Sequence, residues 1–202
     1  MLVLCAHPRP DLSTVNAALF DGIRDLEGVT AVDLYADYPT MDIDVEREQQ
    51  RLVDHDVIVL QHPLFWYSSP AILKEWQDLV LEHGFAYGEG GRALEGKVAM
   101  NAVSTGGTRE TYSNRSAFGH ELSDLLLPFR KTFHLCHMHY LPPFAVFGSG
   151  GPDMTARLPG AVTAYRRLLG ALGEGRLDLD AASAAQTLSG DLDELISETD
   201  GV

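Results

Sequence analysis

Three separated loops of this 202-residue chain hold side chains able to grip a ligand. The first reads Ala6-His7-Pro8-Arg9-Pro10-Asp11-Leu12-Ser13-Thr14-Val15-Asn16. Ser13, Thr14 and Asn16 cluster where a helix should begin. Hydroxyls beside unpaired backbone N–H groups favour an anion without needing a lysine. Capping of that helix accounts for Ser13 and Thr14 equally well. His7 ends the preceding strand, either as a ligand contact or as a satisfied polar residue. The second loop is Gln61-His62-Pro63-Leu64-Phe65-Trp66-Tyr67-Ser68-Ser69-Pro70. Its aromatic side chains, Trp66 and Tyr67, belong either in the core or against the face of a flat aromatic cofactor. In the second case the loop backbone lines that cofactor's edge. The third loop, Ser104-Thr105-Gly106-Gly107, carries paired glycines that admit close backbone approach. Peptide N–H groups aimed at a bound ring would stabilise negative charge on it. A simple turn is the alternative there.

Other chemistries find less support. There is no Walker loop, no GxGxxG fingerprint and no G-x-S-x-G elbow. The run His134-Leu135-Cys136-His137-Met138-His139 is dense in ligating types. Strand alternation would split it between two faces, and no carboxylate or second cysteine completes a tetrahedral set, so no metal is expected.

The elements that must position these loops alternate between strand and helix. Apolar runs over residues 2–6, 30–35, 56–61 and 97–103 read as strands, and a fifth strand falls within residues 137–146 ahead of or around Pro142-Pro143. Helical spacing covers residues 14–26, 46–54, 118–132 and 154–172, with a break expected at Pro128. The clearest helix follows Pro70, with Ser69 as its expected cap, a stripe of Ile72, Leu73, Trp76, Leu79 and Val80, and Gly84 as its stop. Such alternation implies an α/β fold with a parallel sheet and helices on both faces, in the five-stranded flavodoxin-like order. Ligands of such sheets bind at the carboxyl ends of the strands, which is where all three loops lie.

Size and composition suit one soluble domain: apolar residues are 45% and charged residues 22% of the chain. No apolar run is long enough to span a membrane. The start, Leu2-Val3-Leu4-Cys5, lacks a basic stretch and reads as a first strand, not a signal peptide. Cys5 and Cys136 sit in apolar runs, as buried free thiols of a reducing cytoplasm would. The net charge of -14 argues against nucleic acid and anionic lipid as partners. After Arg176 the chain has acids at Asp178, Asp180, Asp191, Asp193, Glu194, Glu198 and Asp200 and no Lys or Arg. Residues 1–172 are therefore expected as the folded domain and residues 173–202 as a mobile acidic tail, with Leu192, Leu195 and Ile196 available to dock on a partner.

Taken together the motifs resemble a known family. The matching residues are Ala6-His7-Pro8, then Gln61-His62-Pro63 with Trp66-Tyr67-Ser68, Pro70 and Leu73-Lys74, then His83-Gly84, Ala86-Tyr87-Gly88, Gly90-Gly91, Leu94 and Gly96-Lys97. Thr105-Gly106-Gly107 and Leu141-Pro142-Pro143-Phe144 complete the set. Over residues 1–172 the chain resembles the flavodoxin-like NAD(P)H:quinone oxidoreductases, nearest to small bacterial members that serve as ancillary subunits of glutathione-gated potassium efflux systems.

That resemblance implies a bound flavin, FMN with FAD as the alternative, reduced by NADPH or NADH. His7, Ser13, Thr14, Val15 and Asn16 would hold the ribityl-phosphate end. Pro63, Leu64, Phe65, Trp66 and Tyr67 would contact the isoalloxazine, and Ser104, Thr105, Gly106 and Gly107 its pyrimidine side. Tyr112 and Tyr87 match two pocket tyrosines of the larger quinone reductases. Where those relatives have a proton-handling histidine this chain has Phe118, with His120 nearby. The implied reaction is ping-pong: hydride passes from nicotinamide to flavin N5 and then to a quinone or similar electrophile. The family also implies a homodimer, a cytoplasmic location and a potassium efflux transporter as a partner. With little turnover of its own, the protein would instead be a regulatory binding subunit of that transporter.

Overall fold

The computed structural model describes residues 1–190 and 192–197; Asp191, Glu198 and Asp200 of the expected tail lie outside the described residues. The apolar runs form one parallel sheet. It comprises β1 (Leu2–Cys5), β2 (Thr30–Asp33), β3 (Val57–Pro63), β4 (Val98–Ser104), β5 (His139–Tyr140) and β6 (Phe144–Val146). The order is β2-β1-β3-β4-β5, with β6 also on β4, so the last two strands are one edge strand in two pieces. Pro142 and Pro143 fall in the gap, and neither has an N–H to continue the ladder.

Helices cover both faces because β1, β3 and β4 are apolar on both. Leu2, Leu4, Ile58 and Leu60 pack with α3 (Val45–Val53), α4 (Ala71–Val80) and α6 (Leu127–Leu135). Val3, Val59 and Met100 pack with α1 (Val15–Asp21) and α7 (Met154–Gly173). On the first side the fully buried Glu48 carboxylate accepts from the Tyr38 hydroxyl at 2.6 Å and the Trp76 indole at 2.9 Å, and pairs with Arg51. A buried charge is tolerable only with such partners. On the second side Gly22 lets α1 approach α7, since a Cβ there would meet Val162 Cγ1 at 2.5 Å.

Several boundaries differ from the sequence reading. Ser69 makes no cap on α4: Pro70 takes the capping position, and no side-chain oxygen bonds the first turn. That helix ends at Val80, short of Gly84, and Leu79 of the expected stripe is 39% exposed. The first helix stops at Asp21, and β2 stops at Asp33, whose carboxylate instead caps α2 (Leu34–Asp37). The 118–132 helix is two helices, α5 (Leu122–Leu125) and α6, with Pro128 in the opening turn of the second.

The largest difference is the end of the chain. A short helix, α8 (Leu179–Ala184), is capped by the Asp178 carboxylate. Leu177, Ala182, Leu188, Leu192 and Ile196 are buried against the α7 side of the sheet, and Leu177 and Ile196 form an antiparallel bridge. The Leu188 amide donates to the Pro143 carbonyl at 2.9 Å. Through residue 197, except the undescribed 191, this segment covers its own core. Leu192 and Ile196 are spent on that packing and not left for a partner.

Candidate functional site

All three loops meet at the carboxyl ends of β1, β3 and β4. The Asn16 side-chain amide donates to Ser104 Oγ at 2.7 Å, joining the first loop to the third. The Leu64 amide donates to the Ser104 carbonyl at 2.8 Å, joining the second to the third. His7 meets Phe65 edge-on with ring centroids 5.7 Å apart, joining the first to the second. Residues 6–16, 61–70 and 104–107 therefore form one surface.

In the first loop, a 3-10 turn at Pro10–Leu12 leads into α1. Ser13 Oγ accepts from the Ala17 amide at 3.3 Å, and Thr14 takes the capping position without a side-chain cap bond. The amides of Thr14, Val15 and Asn16 stand ahead of the first intrahelical acceptor and remain the helix's outward donors. Below them, Gln61 Nε2 donates to the Asn16 carbonyl at 2.8 Å. Asn16 Oδ1 and Gln61 Oε1 are buried without a hydrogen-bond partner. His7 Nδ1 accepts from the Arg9 amide, and burial pushes its pKa below the usual value.

The second loop is a tight hairpin. Phe65 and Ser68 exchange backbone bonds of 3.0 and 2.9 Å, and the two residues between them have positive φ, 47° at Trp66 and 63° at Tyr67. Such turns favour Asn-Gly; large aromatic residues there are strained. Trp66 is 93% exposed and Tyr67 54%, so neither is in the core. Tyr67 stacks on Phe118 at 5.1 Å. The turn therefore combines backbone strain with exposed aromatic surface at the carboxyl end of β3.

In the third loop a Cβ added at Gly106 would meet nothing within 4 Å, so that side of the backbone faces open space. At Gly107 the added atom would sit 2.9 Å from Tyr112 Cε2. Tyr112 thus folds back onto the double glycine. Burial raises its pKa, against the pull of the Gly107 amide and the Thr105 hydroxyl. Its ring packs with Phe118 and Phe147 at 6.0 and 6.1 Å.

Two expected residues stand apart. His120 meets Phe118 edge-on and lies 3.7 Å from the Asp124 carboxylate, on the α5 side of the cluster. Tyr87 pairs with His83 at a separate corner, and no ring contact joins it to Tyr112 among the described residues. The dense run is dispersed, but not by strand alternation: His134 and Leu135 end α6, a turn with φ of 61° at His137 follows, and only His139 lies in β5, with Cys136 and Met138 buried and His134, His137 and His139 exposed. Not singled out from sequence were His62, Asn101 and Tyr140, polar residues set within strands. The only trace they leave there is a polar letter inside an apolar run.

A family profile described as flavodoxin-like fold matches residues 1–169. The chain is 46% identical over 147 residues to the glutathione-regulated potassium-efflux system ancillary protein KefG of Yersinia pseudotuberculosis, an alignment covering 73% of this chain and 81% of that protein. Among solved structures, general stress protein 14 from Treponema denticola, crystallised in complex with FMN, matches with a TM-score of 0.81 and 36% identity, covering 85% of this chain and 98% of that one. An NADPH-quinone reductase from P. pentosaceus matches with a TM-score of 0.72 and 34% identity, over 83% of this chain and 95% of that one.

Proposed function

This chain belongs to the flavodoxin-like fold family, and from that premise we propose that it is an FMN-dependent NAD(P)H:quinone-type oxidoreductase. The observation that carries the reading is the convergence of the three loops, tied by the Asn16–Ser104 and Leu64–Ser104 bonds. The residues fit the group. Outward amides with the Ser13 and Thr14 hydroxyls suit a phosphate, the open side of Gly106 suits a ring edge, and the strained aromatic turn suits a ring face. FMN is preferred to FAD because general stress protein 14 was crystallised with FMN.

Bound there, the flavin supplies two-electron hydride chemistry, in a ping-pong sequence with a nicotinamide and then a quinone or related electrophile. The chain's own residues do the rest. The Gly106–Gly107 turn would offer main-chain donors to the ring's pyrimidine side, where preorganised donors stabilise negative charge, while the Thr105 amide is already held by the Val146 carbonyl at 2.9 Å. Trp66 and Tyr67 would shield the ring's face. The Tyr112 hydroxyl, beside the Gly107 amide and kept protonated by burial, is the proton-handling group in place of a histidine. The protein works as a homodimer in the cytoplasm.

A second reading draws on the 46% identity to KefG: the chain binds and regulates a glutathione-gated potassium efflux transporter. Among the described residues no helix is long and apolar enough to cross a membrane, so the membrane part would be the partner's. One experiment separates the readings. FMN is added to purified protein, which is then titrated anaerobically with NADPH or NADH and reoxidised with a quinone. Bleaching and recovery of the flavin spectrum supports the enzyme. FMN uptake without reduction, or no uptake at all, overturns it and favours the regulatory subunit.

A further inference from the structure

We propose that Asn101 and Tyr140 are positioning residues, acting through His62 to fix the Pro63–Leu64 peptide at the base of the aromatic turn. This deepens the flavin-site reading and rests on it for its functional consequence. The three side chains come from adjacent strands, β5, β4 and β3. The Tyr140 hydroxyl donates to Asn101 Oδ1 at 2.6 Å. Asn101 Nδ2 donates to His62 Nε2 at 2.9 Å, and His62 Nδ1 donates to the Pro63 carbonyl at 3.0 Å. Only one orientation of the Asn101 amide and one tautomer of His62, with the proton on Nδ1, satisfies all three contacts. His62 and Asn101 are fully buried, and His62 lies flat against Phe129 at 5.5 Å.

Packing alone does not call for this chain. Leu60, Ala99 and Val103 fill neighbouring positions on the same sheet face with apolar groups. A polar chain in that setting is costly unless every member is satisfied, and here every bond leads toward one main-chain carbonyl. The same peptide is held at its other end, because the Leu64 amide donates to the Ser104 carbonyl. The unit is therefore clamped on both sides, from the third loop and from the buried chain. One further peptide leads from it to Phe65, where the strained hairpin starts. Strain at Trp66 and Tyr67 persists only if the flanking backbone cannot relax, and the clamp supplies that resistance.

The test uses the full chain, with and without FMN. Nitrogen-15 NMR of histidine-labelled protein reads the His62 tautomer, and hydrogen exchange reads the Leu64 amide. Stopped-flow fluorescence reads FMN release. The wild type should show His62 protonated on Nδ1 alone at neutral pH. In Asn101→Leu the Leu64 amide should exchange, and FMN should leave, about tenfold faster. Tyr140→Phe keeps the ring stacked on Phe133 and should give about threefold in both, without loss of fold. An Nε2-protonated His62, or Leu64 exchange and FMN release unchanged in Tyr140→Phe and Asn101→Leu, overturns the proposal. If wild-type protein takes up no FMN, the flavin reading falls, while the tautomer and the Leu64 exchange still decide the clamp. Should Asn101→Leu fail to fold, Tyr140→Phe decides it alone.

Discussion

Replacing Trp66 by asparagine should make the cofactor-free protein more stable while weakening its hold on the flavin. Trp66 has φ of 47°, and the left-handed region costs a bulky L-residue about 1–2 kcal/mol. Asparagine tolerates that region and is the favoured first residue of such hairpins. The side chain is 93% exposed, so little burial is lost on removing it. The net gain should be about 1 kcal/mol. With a urea m-value of roughly 2–3 kcal/mol/M, that raises the unfolding midpoint of apo-protein by about 0.3–0.5 M. In the flavin-loaded protein the aromatic wall is gone. A ring contact worth about 0.5–1.5 kcal/mol should be lost, weakening FMN by roughly 2- to 10-fold. Urea melts of the apo form and fluorescence titration with FMN measure the two effects. A lowered apo midpoint would show that Trp66 stabilises the free fold, and unchanged FMN affinity would remove it from the cofactor wall; either sinks the argument from strain.

Other expectations follow from the same geometry. Burial lowers the pKa of His62 from 6.5 to about 4, so the unfolded chain takes up its proton first. The stability due to neutral His62 is full above pH 6.5 and fades as pH falls toward 4, by about 3 kcal/mol in all. Urea melts of wild type and His62→Gln between those limits should converge as pH drops, and parallel curves would contradict the buried neutral imidazole. Gly106→Val should abolish FMN binding yet leave the melting temperature near wild type, because its side chain enters open space; full flavin occupancy would displace the ring edge from that loop. At Gly107 even alanine crowds Tyr112, and it should cost about 1–3 kcal/mol of stability along with turnover, both readable in a melt and a quinone assay. Tyr112→Phe should lower turnover with FMN still bound, and identical kinetics with several quinones would exclude its hydroxyl from proton handling.

Much of the scaffold was legible because its signals are local. Parallel strands covered on both faces read as unbroken apolar runs, as Leu2-Val3-Leu4-Cys5 and Val57-Ile58-Val59-Leu60 do. The glycine pair and the hydroxyl cluster stand out because each serves backbone geometry within a few residues. Element ends were less legible. Ser69 has the right chemistry for a cap, but Pro70 already takes the capping position, so no cap bond forms. The acidic segment after Gly173 misleads for a different reason. Of its buried residues, Leu177, Ala182 and Leu188 recur at neither helical nor strand spacing, and Leu188, Leu192 and Ile196 stand four apart yet form no helix among the described residues. They are chosen by the shape of the α7 face, a tertiary constraint that no local period records.

The buried chain under the second loop is the harder case, and it shows where reading by pattern stops. Gln61 and His62 were visible as letters of a loop, yet both lie within β3 and point to opposite sides of the sheet. Gln61 turns to the α1 side and holds the Asn16 carbonyl, while His62 turns to the α6 side and accepts a hydrogen bond from the Asn101 amide. Each makes sense only with a partner some 40 residues away, so neither spacing nor propensity identifies it. A usable signal does exist. Asn101 interrupts Val98-Ala99-Met100 at the register position opposite Leu60, inside a strand with no exposed face. A polar residue there must be satisfied by another strand, and the strand beside it offers His62 two residues on. The same argument extends to Tyr140, whose ring packs on Phe133 while its hydroxyl reaches back under β4. Polar residues inside doubly covered strands should therefore be read as pairs awaiting partners. Where such a chain ends on a main-chain carbonyl beside a strained turn, its purpose lies in the turn.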